Sequence, residues 1–280
     1  MKKFVPYILL SPMIVIFILT KAVPAGLLVR LSLFKTNYIT ETFIGLRNFV
    51  KIFTDQSIAY ALKNSVLYAV IIVPVYMLIG LFLGFLAHDM NKKVQHVARF
   101  FFMIPTFVSG VVIASSWKWI FHPRDGLVNW LLSLGGIEPV RWWSSTMTSV
   151  PAISLIHLVT YTGSTAIVFI AALHGIDSQI LEAAKIDGAR RGQIKRLIQM
   201  PLIAPTIALF SLICMIGTFH IFEWIYMLAP YDYASTIMYR IYHDGFVYGR
   251  PGLAAAESLV LLCIILVLTV GQKRLQRWRF

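Results

Sequence analysis

Two groups of polar residues interrupt the long apolar runs of this 280-residue chain and could do chemistry. In the first, His157, Thr160, Tyr161 and Ser164 recur at i, i+3, i+4 and i+7, which puts them on one stripe of a helix. His220, Glu223 and Trp224 follow in the next apolar run, within His-Ile-Phe-Glu-Trp. Ionisable groups inside an apolar segment are costly in a bilayer and point to a pathway. Hydrogen-bonding groups beside aromatic faces are the chemistry that holds a sugar, so these residues are candidates to line a cavity. Polar contacts that only glue helices together are the alternative. Glu257, in the last apolar run, lies near its outer end, where an interfacial position also accounts for it.

The second group is the stretch 175–205, GIDSQILEAAKIDGARRGQIKRLIQMPLIAP, with three acids and five bases. Ser178 is placed to cap a short helix running to Asp187, with Gly188 as its left-handed stop. Ile180, Ala183, Ala184 and Asp187 then share a face, and the small pair Ala183-Ala184 leaves room for another protein's backbone. A second, basic turn covers Arg190 to Gln199. Pro201 stands where a new membrane helix starts, a position at which its missing N–H costs nothing. Docking of a partner and a merely solvated loop both fit this spacing.

Other chemistries lack their residues. Gly-x-x-x-x-Gly-Lys-Ser/Thr is absent, so the chain has no phosphate-cradling loop of its own and any ATP hydrolysis falls to another chain. HExxH, CxxC and GxSxG are absent as well, and the seven histidines show no ligand spacing, so no metal and no enzymatic activity are expected. Cys214 and Cys263, both in apolar runs, read as buried thiols.

The elements that position these residues follow from composition. The chain is 58% hydrophobic and 13% charged, with mean hydropathy +0.76. A soluble domain carries about a quarter charged residues. The net charge of +13 is scattered between apolar runs, which fits a membrane protein rather than a nucleic-acid binder. An apolar core of about 30 Å takes about 20 helical residues. Six segments reach that length, near 5–30, 65–88, 99–121, 149–173, 202–228 and 252–271. The expected fold is all-α, with six transmembrane helices. The organisation is a first helix with an external amphipathic segment (1–60), a polytopic membrane domain (61–272, polar loop 174–201) and a basic tail (273–280). Gly45 to Lys63 reads as one amphipathic interfacial helix, with Leu46, Phe49, Val50 and Phe53 on its apolar face. Pro12, Pro24, Pro74 and Pro105 kink their helices, and Gly80 and Gly84 permit close helix approach. Trp117, Trp119, Trp130, Trp142 and Trp143 gather at the outer end of the third span, as an aromatic belt or as a lid. The amino end, 89–99, 174–201 and the tail together hold 14 bases against 4 acids, so the positive-inside rule puts both termini and the 174–201 loop in the cytoplasm.

Glu182-Ala183-Ala184, Asp187-Gly188-Ala189, Ile198, Pro201 and Pro205 resemble the EAA–DGA–P motif of binding-protein-dependent type I ABC-importer permeases. GLRNFVKIF at 45–53, ALKNSVLY at 61–68 and FFMIPTFVSGVVIASSWKWIFHPRDGLVNWLL at 101–132 look like the carbohydrate-uptake branch of that family, the maltose- and glycerol-phosphate-type permeases. The resemblance implies a type I importer fold in a prokaryotic plasma (inner) membrane and a sugar, polyol or oligosaccharide as cargo. It implies three partners besides membrane lipid: a second permease subunit forming a heterodimer, a cytoplasmic ATPase dimer carrying ATP-Mg, and an external solute-binding protein. The motif becomes a coupling helix: Glu182 orients it by polar contacts, Ala183 and Ala184 seat it, and Asp187, Gly188 and Ala189 make its turn. The family often has a bulky apolar residue where this chain has Lys195, so Ile194 or Leu197 is expected to fill the ATPase groove instead. A secondary transporter without an ATPase partner is the alternative, but it usually shows internal repeats and broken helices, and no clear repeat is visible.

Overall fold

The computed structural model describes residues 5–229 and 232–277. Lys2, Lys3 and the end of the basic tail (278–280), which enter the orientation argument, lie outside them. In chain order the elements are α1 (Val5–Phe17), a π-turn (Ile18–Ala22), α2 (Val23–Ser32), β1 (Phe34–Thr36), β2 (Glu41–Phe43), α3 (Arg47–Thr54), α4 (Gln56–His88), α5 (Lys92–Phe107), α6 (Gly110–Ile120) and α7 (Leu127–Leu134). Next come α8 (Thr146–His174), α9 (Ser178–Ile186), α10 (Arg191–Gln193), a second π-turn (Ile194–Gln199), α11 (Met200–Phe219), α12 (Glu223–Leu228), α13 (Ile237–Tyr242), a third π-turn (His243–Val247) and α14 (Pro251–Arg277). They form two compact units, one of residues 1–60 with 237–270 and one of 61–236 with 271–280.

Among the described residues, five helical runs are long and apolar enough to cross a membrane: Leu9–Ser32, Gln56–His88, Thr146–His174, Arg191–Leu228 and Pro251–Arg274. The expected third span is not one helix. It is α5 and α6, bent by 90° at Val108-Ser109. Both hinge residues are extended, and Pro105, lacking an N–H, weakens the last turn of α5. The fifth expected span is also interrupted, at His220–Phe222, between α11 and α12.

Prolines explain two of the π-turns. Pro24 and Pro201 each stand at the second position of the α-helix that follows one. A proline ring inside a helix clashes with the carbonyl four residues back, and a wider turn relieves that clash. Pro201 therefore does not open a new helix: helical backbone runs unbroken from Arg191 to Phe219. Gly45 to Lys63 is likewise not one helix. Asp55 is extended and its carboxylate accepts from Ser57 N and Oγ at 3.0 and 2.7 Å, so it ends α3 and caps α4.

In the smaller unit, β1 and β2 form a short antiparallel hairpin, and buried Asn48 of α3 donates through Nδ2 to Ser32 O and Phe34 O at 2.8 and 3.0 Å. A Cβ on Gly252 would collide with Phe34 O, so glycine lets α14 meet the end of β1's approach. Glu257, instead of lying at an interface, is fully buried beside the Arg240–Asp244 ion pair of 3.0 Å.

In the larger unit, α4, α5 and α11 pack on α8. Added Cβ atoms on Gly80 and Gly84 would lie 2.5 Å from Thr165 Cγ2 and 2.9 Å from Phe169 Cβ, so this pair is where α4 touches α8 closely. Gly163 does the same for α5, against the backbone of Phe102. Of the five tryptophans expected at the outer end of the third span, three cluster: Trp117, Trp142 and Trp143 surround buried Phe121 at ring distances of 5.4, 5.0 and 5.5 Å. Trp142 Nε1 donates to Asn129 Oδ1 at 3.1 Å, while Trp119 and Trp130 stay exposed.

Candidate functional site

The bend between α5 and α6 positions the first polar group. It brings Gly110, at the start of α6, against the first turn of α12. A Cβ on Gly110 would overlap Glu223 Oε2 and lie 3.7 Å from Trp224 Nε1. Glu223 thus sits at the first position of α12 and beside the first residue of α6, where the positive ends of both helix dipoles favour a carboxylate. Trp224 is buried and continues into an aromatic group. Its ring lies 5.3 Å from that of His157 and stacks on Tyr161 at 5.9 Å, and His157 lies 5.0 Å from Tyr161. Tyr76 of α4 completes the group, 5.8 Å from His157. Sequence reasoning missed it because it lies in an apolar run with no polar periodicity around it.

His157 Nδ1 and Trp224 Nε1 are buried without a hydrogen-bond partner among the described residues. Such atoms cost free energy unless a partner arrives. Together with the Glu223 acceptor and the three aromatic faces they can take hydroxyl groups. Ser164, one turn from Tyr161, donates instead to Tyr161 O at 2.7 Å. His220 is exposed and its Nδ1 pairs with Ile216 O of its own helix at 2.8 Å. The structure therefore joins His157, Tyr161, Glu223 and Trp224, and leaves Ser164 and His220 bonded elsewhere.

The second group is built on α9. Its cap is Asp177, not Ser178: the Asp177 carboxylate accepts from Gln179 N at 2.9 Å, which also sets an acid at the positive helix end. At the other end Gly188 has φ +82°, Gly188 N donates to Lys185 O, and Ala189 N donates to Ala184 O at 3.0 Å. This double bond pattern is a Schellman turn, which satisfies the last carbonyls. Glu182, Ala183 and Asp187 are exposed, and Ala184 is buried, holding α9 to the rest of the chain. Arg190 N then donates to Gln193 Oε1 at 2.8 Å and starts the helix that runs through the π-turn into the membrane segment.

The two apolar residues expected to seat in a partner differ. Ile194 is 7% exposed, whereas Leu197 is 66% exposed. Ile186, at the end of α9 and 85% exposed, is a third apolar side chain on this surface. Its place directly before Asp187-Gly188 was the signal for it. Lys195 turns back to Asp89 at the end of α4, with Nζ 2.5 Å from Oδ2.

Membrane-length helices, a polar cluster at a helix break, and an exposed capped helix joined by a short turn to a span are the build of a polytopic membrane protein. The chain belongs to the family described as binding-protein-dependent transport system inner membrane component, which it matches over residues 77–280. The resemblance to ABC-importer permeases thus holds, and the chain is a multi-pass inner-membrane permease subunit of a binding-protein-dependent importer. It is 29% identical to the sn-glycerol-3-phosphate transport system permease protein UgpA of Agrobacterium fabrum, over 97% of this chain and 94% of that one. It is 27% identical to the arabinooligosaccharides transport system permease protein AraP of Halalkalibacterium halodurans, over 97% and 87%. A chain of the bacterial alginate ABC transporter, crystallised with an alginate pentasaccharide-bound periplasmic protein, superposes with TM-score 0.85 at 25% identity, over 99% of this chain and 95% of that one. Helix breaks, expected of secondary transporters, therefore occur here in an importer permease.

Proposed function

We propose that this permease forms half of the path for a sugar, or a related polyol or oligosaccharide, and that α9 is its docking helix for a separate ATPase that binds ATP-Mg. The observation that carries the reading is the continuity of the coupling element. Exposed Glu182, Ala183 and Asp187 sit on a helix closed by a Schellman turn, and the next helix runs unbroken from Arg191 to Phe219. A push on α9 reaches the membrane helix through rigid backbone rather than a slack loop.

The surplus of bases on the 89–99 and 174–201 segments supports a cytoplasmic location for α9 and for both termini. ATP binding in the partner dimer then draws two coupling helices together, one from this chain and one from a second, similar permease in a heterodimer. Glu182 orients the docked helix, the alanines set the close approach, and Leu197 and Ile186 are the apolar side chains available to a groove. Substrate released by the external binding protein meets Tyr76, His157, Tyr161, Glu223 and Trp224. The carboxylate accepts hydroxyls and repels anions, so this half of the path suits a neutral sugar better than a phosphate ester or an acidic polysaccharide.

Glu182→Ala tests the coupling role in the assembled importer. Uptake and binding-protein-stimulated ATPase are expected to fall together while membrane insertion stays normal. Unchanged uptake would remove Glu182 from the coupling surface. A panel of sugar-loaded binding proteins, scored by ATPase stimulation, tests the substrate class.

A further inference from the structure

We propose that the smaller unit holds a site for the headgroup of an anionic phospholipid. A cavity of about 670 Å³ opens there, lined in part by Lys35, Arg47, Lys51 and Arg250, with no carboxylate in its lining. Arg250 reaches Asp244 at 3.6 Å, but Lys35, Arg47 and Lys51 have no ion-pair partner among the described residues. Unpaired like charges around one cavity repel each other, and an anion between them removes that cost. Asn37, Thr40 and Thr42 add polar groups to the same wall.

Position selects the lipid over other anions. The membrane-length run Leu9–Ser32 ends three residues before Lys35, and the run Pro251–Arg274 begins directly after Arg250. Two span ends at one cavity put it at headgroup depth. α3 supplies the rest. Arg47 and Lys51 face the cavity, while Leu46, Val50 and Phe53 leave an exposed apolar face on the same short helix. A helix with bases on one side and exposed apolar residues on the other lies in the membrane interface. A phosphate in the cavity leaves its acyl chains free to run down that face and along the Leu9–Ser32 run, none of whose most apolar stretch is buried. Leucine and valine side chains offer nothing to a free phosphate and little to an acidic protein surface, which is why the lipid fits best.

The test uses the purified importer complex and native mass spectrometry with phosphatidylglycerol or phosphatidylcholine. Wild type is expected to retain phosphatidylglycerol preferentially. Arg47→Gln and Lys51→Gln each weaken that retention by about fivefold, the size expected of one base near an anionic surface. Leu46→Ser with Val50→Ser weakens lipid retention without changing the binding of glycerophosphoglycerol, the deacylated headgroup. Assembly with the ATPase checks that every variant folds. Equal retention of both lipids by wild type, or unchanged retention in the charge variants, overturns the proposal. Glycerophosphoglycerol binding as tightly as the lipid would instead make this a free-anion site. Charge variants that lose affinity for the solute-binding protein and keep their lipid would make it a protein-docking surface.

Discussion

Lys195 Nζ lies 2.5 Å from Asp89 Oδ2 and 5.5 Å from the centre of the Phe85 ring, so the 174–201 segment is tied to the end of α4 by one ion pair. A bulky apolar residue expected at this position would face a partner. The lysine faces its own chain. Both side chains are about half exposed, and such pairs contribute about 0–1 kcal/mol. The pair therefore sets the angle of the loop more than the stability of the protein. Asp89→Lys is expected to lower uptake severalfold with little change in Tm, and the swap Asp89→Lys with Lys195→Asp to recover most of it. Transport assays on the two singles and the swap check this.

Burial separates the three apolar residues considered for the proposed docking surface. Ile194 is almost wholly covered, so Ile194→Ala opens a cavity and costs about 2–4 kcal/mol, read as a lowered Tm of the detergent-solubilised protein. Leu197→Ala and Ile186→Ala remove exposed side chains and leave Tm in place. Their expected effect is weaker co-purification of the ATPase subunit. A normal Tm in Ile194→Ala would contradict its burial.

What the sequence made legible were features fixed by local rules. The apolar runs, the left-handed Gly188 and the turn it ends, and the stripe of His157 and Tyr161 all follow from composition or helical period. Pro105 announced a kink in the third span, but the size and place of the breaks were not legible. Val108-Ser109 carries no strong breaker, and the bend depends on α6 finding Glu223 and Trp224 on α12 across Gly110. Pro201 reads locally as a helix start, and only the π-turn before it lets the helix run on. Tyr76 was invisible for the same reason: it joins the aromatic group through contacts between helices far apart in sequence. Ser178 reads as the cap because serine and aspartate cap equally well, and only the hydrogen bond from Gln179 N to the Asp177 carboxylate decides for Asp177.

Two glycines give opposite expectations. A Cβ at Gly163 meets the backbone of Phe102, which cannot rotate aside, so Gly163→Ala pushes α5 from α8 and lowers the folded yield and Tm. Gly217 in α11 has nothing within 4 Å of an added Cβ. Gly217→Ala is expected to be neutral or to stabilise by up to about 1 kcal/mol through helix propensity. Thermal unfolding of the two variants side by side checks the contrast.

The ion pair of Arg240 and Asp244 is buried, with Asp244 wholly covered. Removing one member of a buried pair strands the other charge and costs about 3–5 kcal/mol. Arg240→Ala, which leaves the buried carboxylates of Asp244 and Glu257 beside each other, should therefore fail to accumulate or show a sharply lower Tm. Arg240→Ala with Asp244→Ala, which removes both charges, should recover part of that loss.

Trp224 offers the cleanest test of the aromatic cluster as a path. Trp224→Phe keeps a flat ring among His157 and Tyr161 but deletes Nε1, a buried donor with no partner among the described residues. If that donor only packs between helices, removing it relieves an unsatisfied group, and uptake is unchanged or the protein is more stable. If it serves passing sugar hydroxyls, the maximal uptake rate falls severalfold while the half-saturating sugar concentration, set by capture in the external binding protein, stays put. Measuring both parameters and Tm on the same variant separates the two roles, because packing moves Tm and the path moves the rate.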